Sequence, residues 1–401
     1  MSKRRVVMTT TAYPPSIGGV QGYLAELCAG LQRFEADVIT LWLSHRTDWL
    51  LGTTLRLGQA EGGAPASSVR KLGWTRASRA RMVPWVFAYY GLVPIAADRI
   101  AAEMTPQLDQ AVSPDASLIH SHRIGREFLA LASLAVARRR GLPFVLSPYH
   151  HPRWQGYRYS GWIRVYRAAE AVLTLTNAEA RELERLGVAP QRLHVIGGAA
   201  DQPMPADPAR FRARIGVTSG PLVVFAGQLY RYKGVADLVA AGDALLARGI
   251  ALELAFLGPE TRFSRSFFAS HQRPWIHVLG RVDNQTKWDA LEAATVVCVP
   301  SEQESFGRVY VEAWSKGKPV VASRIPAVSE VVTDGESGLL VEQGSVDGLA
   351  RALERLLTDP NLARRLGESG RREVATRFNW GEVVIRVEAV YDSLLASRHP
   401  A

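Results

Sequence analysis

The chain has 401 residues, 47% of them hydrophobic and 21% charged, enough to bury the cores of two or three ordinary domains. No apolar stretch reaches the ~18 residues that a membrane span needs, and the N-terminus reads as a strand, not a signal peptide. Two cysteines, Cys28 and Cys298, argue against a disulfide framework or a cysteine metal site, so a cytoplasmic protein is expected.

Short apolar, β-branched runs alternate with helical stretches along the chain. Strands are predicted near 4–11, 36–44, 117–122, 143–149, 171–176 and 192–197. A second series follows near 221–227, 251–258, 275–281, 295–301, 319–323 and 338–342. Repeated βα alternation implies parallel sheets covered on both faces, hence an α/β fold of two doubly wound, Rossmann-like domains. The boundary falls in the Pro-, Gly- and Ala-rich stretch 198–218. The predicted domains are 1–198 and 199–376, followed by a terminal segment, 377–401. Ligands of such sheets bind at the carboxyl ends of the strands, so two domains facing a central cleft should hold the substrate there.

The net charge of +10 belongs to the N-terminal half: residues 1–200 hold 24 Lys/Arg against 14 Asp/Glu, and residues 201–401 hold 24 against 24. Residues 70–90 (RKLGWTRASRARMVPWVFAYY) carry five basic residues and no acidic one, interleaved with Trp74, Trp85, Phe87, Tyr89 and Tyr90. That pattern suits an anionic membrane surface, against the plainer alternative of core aromatics with solvated arginines. No helix-turn-helix, RNA-recognition or zinc-finger pattern accompanies it, so nucleic acid is not an expected partner.

Candidate site residues follow in chain order. Gly18 and Gly19 come between the first strand and a helix predicted to begin near Val20, where backbone can approach a phosphate; SIGGVQG lacks the dinucleotide-binding spacing. His120 and His122 end a strand and read equally well as packing residues. His150 and His151 lie in SPYHHPRW (147–154), beside Arg153 and Trp154. GQLYRYKG (227–234) puts Lys233 just after a strand, a compact charge suited to a leaving diphosphate. In EQESFGRVYVEAWSKGKPVVAS (302–323), a helix between two strands opens at Ser305 and Gly307. The free amides of its predicted first turn, Phe306 to Val309 and so including Arg308, suit a phosphate or pyrophosphate. Glu304 and Glu312 flank that anion site as hydroxyl acceptors, an arrangement that fits a sugar nucleotide. No Asp-x-Asp pair is present and the histidine spacing is unlike zinc sites, so metal independence is expected.

The glutamate-pair segment resembles that of glycosyltransferase family 4, retaining enzymes of the GT-B fold. RRVVMTTTAYPPSIGGVQGYLAELCAGL (4–31), AVLTLTNAEARELERLGV (171–188), VVFAGQLYRYKGVADLVAA (223–241) and VLGRVDNQTKWDALEAATVVCVPS (278–301) follow the family's order and spacing. The resemblance implies a UDP- or GDP-sugar donor and a glycan or lipid-linked acceptor. It implies no cofactor beyond the nucleotide-sugar and no protein nucleophile. It also implies that Glu304 binds the sugar, Glu312 the ribose and Lys233 the diphosphate, that Val282, Lys287 and Arg281 lie near the base, and that a histidine of the 147–154 loop, His150 or His151, enters the site. Relatives carry an arginine where this chain has Gln228, so either Arg231 substitutes or the phosphate grip is weaker. The family's terminal helix returns to the N-terminal domain. A phosphorylase, an epimerase or a non-catalytic sugar-nucleotide-binding protein would use the same fold.

Overall fold

A computed structural model describes residues 3–16, 18–42, 68–93, 95–123, 125–152 and 159–398. The chain forms two compact units, Met1–Gly197 together with Trp380–Ala401, and Gly198–Asn379.

The first unit is built on a parallel sheet in the order β3-β2-β1-β4-β5-β6-β7. Its strands are β1 (Arg4–Ala12), β2 (Phe34–Trp42), β3 (Ser68–Lys71), β4 (Ala116–His122), β5 (Phe144–Ser147), β6 (Ala171–Thr174) and β7 (Leu193–Val195). β1 is buried without alternation from Val6 to Ala12, the pattern of a strand with helices on both faces. Met8 pairs with Val38 on one side and His120 on the other. The helix Trp380–Ala396 completes this unit: Glu388 accepts from the backbone N–H groups of Gln32 and Arg33, each at 2.7 Å. Tyr391 packs edge-on against Phe34 and shares a 2.6 Å hydrogen bond with His120.

β3 was not expected: it takes Arg70 and Lys71 out of the basic, aromatic segment and places them on the sheet edge. Four residues without an apolar run give no strand signal; pairing with β2 makes them one. The rest of the segment divides between the two alternatives. Trp74 is in the core, and Thr75 caps the helix Arg76–Tyr90, accepting from the Ser78 N–H at 3.0 Å. Met82 and Val86 of that helix are buried, and Trp85 and Tyr89 pack on the same core. Phe87 and Tyr90 face outward, 64% and 45% exposed.

The second unit carries the sheet β10-β9-β8-β11-β12-β13, again all parallel. Its strands are β8 (Leu222–Ala226), β9 (Glu253–Leu257), β10 (Ile276–Gly280), β11 (Val296–Val299), β12 (Val320–Ser323) and β13 (Leu339–Val341). The linker-like stretch after Gly198 contains a helix, Pro208–Arg214, started by Asp207, whose carboxylate accepts from two amides behind a proline. Among the described residues, no helix is long and apolar enough to cross a membrane.

Candidate active site

Two loops at the carboxyl ends of β8 and β11 create the first cluster in the second unit. After β8 the chain makes a 3-10 turn, Arg231–Lys233, and leaves it through Gly234 at φ +76°. A Cβ on Gly234 would stand 2.3 Å from the Pro300 carbonyl oxygen, so only glycine allows this approach of the β8 and β11 loops. The Glu302 N–H donates to the Tyr232 carbonyl at 2.8 Å and ties the loops together. Lys233 Nζ then donates to Glu304 Oε1 at 2.6 Å, and Ser301 Oγ donates to the same oxygen at 2.9 Å. The Lys233 and Glu304 side chains are 14% and 12% exposed, so their attraction is screened far less than that of a surface pair.

The helix between β11 and β12 spans Arg308–Ser315, two residues later than the predicted first turn. Gly307 is its N-cap, at φ +88°, and no side chain caps it. Its first amides therefore remain the anion-attracting end of the helix, beginning at Arg308 and not at Phe306. The delay has a packing cause. Phe306 is buried against Phe378, ring centroids 5.5 Å apart, and a Cβ on Gly198 would collide with it, so Phe306 anchors the loop in the core. Ser305 is buried beside it, while Val309 is half-buried in the first turn.

A second cluster joins that helix to the one spanning Asn284–Ala293. Lys287 Nζ donates to Glu312 Oε1 at 3.1 Å and to Asp201 Oδ2 at 2.9 Å, and Arg308 pairs with the other oxygen of Asp201. Burial opposes the charge on Asp201, but Arg308 and Lys287 outweigh it and hold its carboxyl down to about 2. Burial likewise opposes the Lys287 ammonium, which Glu312 and Asp201 nevertheless push above its ordinary value. The four side chains form a self-neutralised network that fixes Glu312. Gln228 and Val282 are half-buried just after β8 and β10, and Arg231 and Arg281 are exposed there.

In the first unit, the helix Gly19–Gly30 opens at Gly19, one residue before the predicted start. A Cβ on Gly18 would strike the Gln21 side chain, whereas at Gly19 it would meet nothing within 4 Å, so packing does not demand the second glycine. His120 and His122 are buried packing residues: His120 lies between Tyr391 and Ser147, and His122 Nδ1 is 2.9 Å from the Tyr149 hydroxyl. His150 is buried after β5 and His151 half-buried beside it. Arg153 and Trp154 lie outside the described residues.

Thus Lys233 meets Glu304, and Lys287 meets Glu312 and Arg308, as separate stretches of sequence converge. Sequence reasoning missed Asp201 and Ser301. Asp201 lies in a strandless linker whose composition signals only a boundary, and Ser301 looks like the polar end of a strand.

Comparison with known proteins places the chain in a family. Residues 209–373 match the family described as "Glycosyl transferases group 1", and residues 18–199 match the "Glycosyl transferase 4-like domain". The MMP alpha-(1->4)-mannosyltransferase of Mycolicibacterium hassiacum is 31% identical over 70% of this chain and 72% of its own length. The alpha-maltose-1-phosphate synthase of Mycobacterium tuberculosis is 28% identical over 98% of this chain and all of its own. Among solved structures, Anabaena Alr3699/HepE in complex with UDP-glucose superposes with a TM-score of 0.72 at 17% identity, covering 97% of this chain and 99% of that one, a likeness of fold. The chain belongs to the family 4-type glycosyltransferases of GT-B fold, and it is a glycosyltransferase.

Proposed function

We propose that this enzyme transfers a sugar, with retention of anomeric configuration, from a UDP- or GDP-sugar to a hydroxyl of a glycan or lipid-linked saccharide. The observation that carries the donor assignment is the Lys233–Glu304 pair beside the uncapped amides at Gly307. Breaking the bond from sugar to diphosphate builds negative charge on the phosphate and positive charge on the ring. An ammonium and helix amides stabilise the first, a carboxylate the second. Glu312, held by Lys287, accepts from ribose hydroxyls. A phosphate oxygen of the leaving group helps remove the acceptor proton on the same face, so no protein nucleophile is used. The cations here serve the diphosphate, and activity should survive EDTA; complete loss restored by magnesium would contradict this.

Among the described residues, five of the eight large exposed hydrophobic residues, Phe87, Tyr90, Leu92, Val93 and Ile95, lie in the last turn of the helix Arg76–Tyr90 or just after it. With exposed Arg99 in the next helix and exposed Arg76 and Arg79 at the far end of the helix Arg76–Tyr90, this face suits docking on an anionic inner membrane face, where a lipid-linked acceptor would be met. A soluble phosphorylated sugar is the second reading, favoured by the name of the synthase relative that spans the whole chain.

Thermal unfolding with panels of UDP- and GDP-sugars tests the donor assignment. Ligand at ~100 times its dissociation constant adds about 2.7 kcal/mol, a clear rise in melting temperature. Protection by none of them would sink the proposal.

A further inference from the structure

The loop after β5 carries His150, and contacts within the first unit fix both its main chain and its ring. Glu179, in the first turn of the helix Asn177–Arg185, accepts from the His150 N–H through Oε1 at 2.5 Å and from the Leu175 N–H through Oε2 at 2.8 Å. One buried carboxylate thereby bridges the loops that leave β5 and β6. Thr176 Oγ accepts from the Glu179 N–H at 3.2 Å, which sets where that helix begins and so where the carboxylate stands. On the ring side, Arg123 Nη1 lies 3.4 Å and the Tyr166 hydroxyl 3.3 Å from His150 Nδ1. A guanidinium can only donate, so Nδ1 is the acceptor and the imidazole proton sits on Nε2. Arg123 cannot turn away freely. Its guanidinium is wedged among the rings of Trp162, Tyr166 and Tyr159, at 5.0, 5.7 and 6.0 Å from their centroids.

We propose that Glu179 and Arg123 are positioning residues that present His150 to the substrate as a neutral imidazole, donating a hydrogen bond through Nε2–H and not accepting a proton. The inference rests on the donor and acceptor chemistry proposed above. It assigns to His150 the task of holding a substrate oxygen in place, which leaves proton removal to the leaving phosphate.

The electrostatics agree. Burial first, and Arg123 second, push His150 down to about 3, so the ring is neutral at physiological pH. Burial pushes Glu179 up to about 7 against the opposing effect of the Leu175 and His150 amides and Arg123. The groups that face Glu179 from neighbouring elements are Arg123 after β4, Tyr149 and His150 after β5, and Tyr166 on the helix Ser160–Ala168. None of the other three titrates near neutrality in this setting: Arg123 stays a cation, and burial raises both tyrosines. Protonation of Glu179 converts one acceptor oxygen into a donor that faces a backbone N–H. Its grip on the loop therefore loosens as pH falls through about 7.

The test uses full-length protein labelled with 15N-histidine. The wild-type His150 signals should show an unprotonated Nδ1 and a protonated Nε2, with no titration between about pH 5 and 9. Glu179→Gln puts an amide donor opposite a backbone donor. It should lower the kcat of transfer about tenfold or more, leave the donor KM within about twofold, and abolish the acid limb of the wild-type pH profile. Glu179→Asp, which keeps the carboxylate, should recover part of that loss. A His150 that carries its proton on Nδ1 or titrates near 6.5 overturns the proposal. So does a Glu179→Gln enzyme with wild-type kcat and pH profile. Normal transfer by His150→Ala, with nucleotide-sugar still raising the melting temperature, also overturns it while leaving the donor site standing. Absence of any nucleotide-sugar binding strikes at the donor reading instead.

Discussion

Replacing Lys233 with methionine keeps the length and apolar stem of the side chain and deletes its charge. In the free enzyme the ammonium is already matched by Glu304 at 2.6 Å, so its use to catalysis is the extra attraction it gains as the diphosphate becomes more negative. A full charge at ~4 Å in an effective dielectric of ~20 is worth about 4 kcal/mol. Partial charge development and the competing carboxylate reduce that to roughly 2–3 kcal/mol, or a loss in kcat of about 30- to 150-fold. Stability should also fall, since Glu304 is left buried with Ser301 as its remaining partner. The cost belongs at or below the low end of the ~3–5 kcal/mol seen when a buried pair loses one member, because both groups keep some solvent access. Release of nucleoside diphosphate, followed at saturating donor and acceptor, gives kcat. Melting temperature with and without UDP separates loss of binding from loss of fold. Glu304→Gln should cost a comparable factor, and the double variant should lose much less than the product of the two, because the pair acts together. A folded Lys233→Met enzyme within about threefold of wild type, or strictly additive losses, would refute the reasoning.

Gly234→Ala must take a left-handed conformation at φ +76° and push its methyl toward the Pro300 carbonyl; destabilisation of about 2–4 kcal/mol is expected in thermal unfolding, and an unchanged melting temperature would disprove the close approach. Asp201, held down to about 2 against an ordinary 3.8, stabilises the fold above that ordinary value, and the contribution disappears as pH falls toward 2. Asp201→Asn should therefore be less stable than wild type at pH 5, by about 2 kcal/mol at most, with the gap closing in urea titrations near pH 2; a gap independent of pH would count against it. Changing Arg76, Arg79 and Arg81 to Glu should stop sedimentation with phosphatidylglycerol vesicles at low salt while sparing hydrolysis of the donor, because Lys233, Glu304 and Glu312, proposed to bind it, lie in the other unit. A wild-type protein that ignores such vesicles favours the soluble acceptor.

What the sequence makes legible follows from the range of each interaction. β11 and β12 were readable because valine runs buried on both faces leave an unbroken apolar signature. Glycines 234 and 307 mark turns that only glycine enters, and they punctuate the chain where the fold bends toward the site. The loop residues that touch across distance were not readable. Asp201 reaches Lys287 and Arg308 from a stretch with no pattern, and Glu179 appears in the sequence as an ordinary charge at a helix start. The tail shows the same limit: Glu388 looks like one more solvated helix charge, and only the fold reveals that two backbone amides depend on it. Phe306 misled in the opposite sense, since a loop aromatic beside an anion site also serves as an anchor in the core, which delays the helix by two residues.

The path of the chain has a consequence for biogenesis. The first unit needs Trp380–Ala401 to be whole, while the second is continuous from Gly198 to Asn379. A ribosome that has released β1 to β7 therefore exports an unfinished module, with the Gln32 and Arg33 amides and the His120 ring awaiting Glu388 and Tyr391. At about 5–20 residues per second, the intervening stretch occupies roughly 10–40 s of synthesis. Throughout that interval the unit encoded first waits for its last helix. The unit encoded first is thus the last to receive all of its parts, and a chain truncated before Trp380 should leave its Gln32 and Arg33 amides without the Glu388 carboxylate.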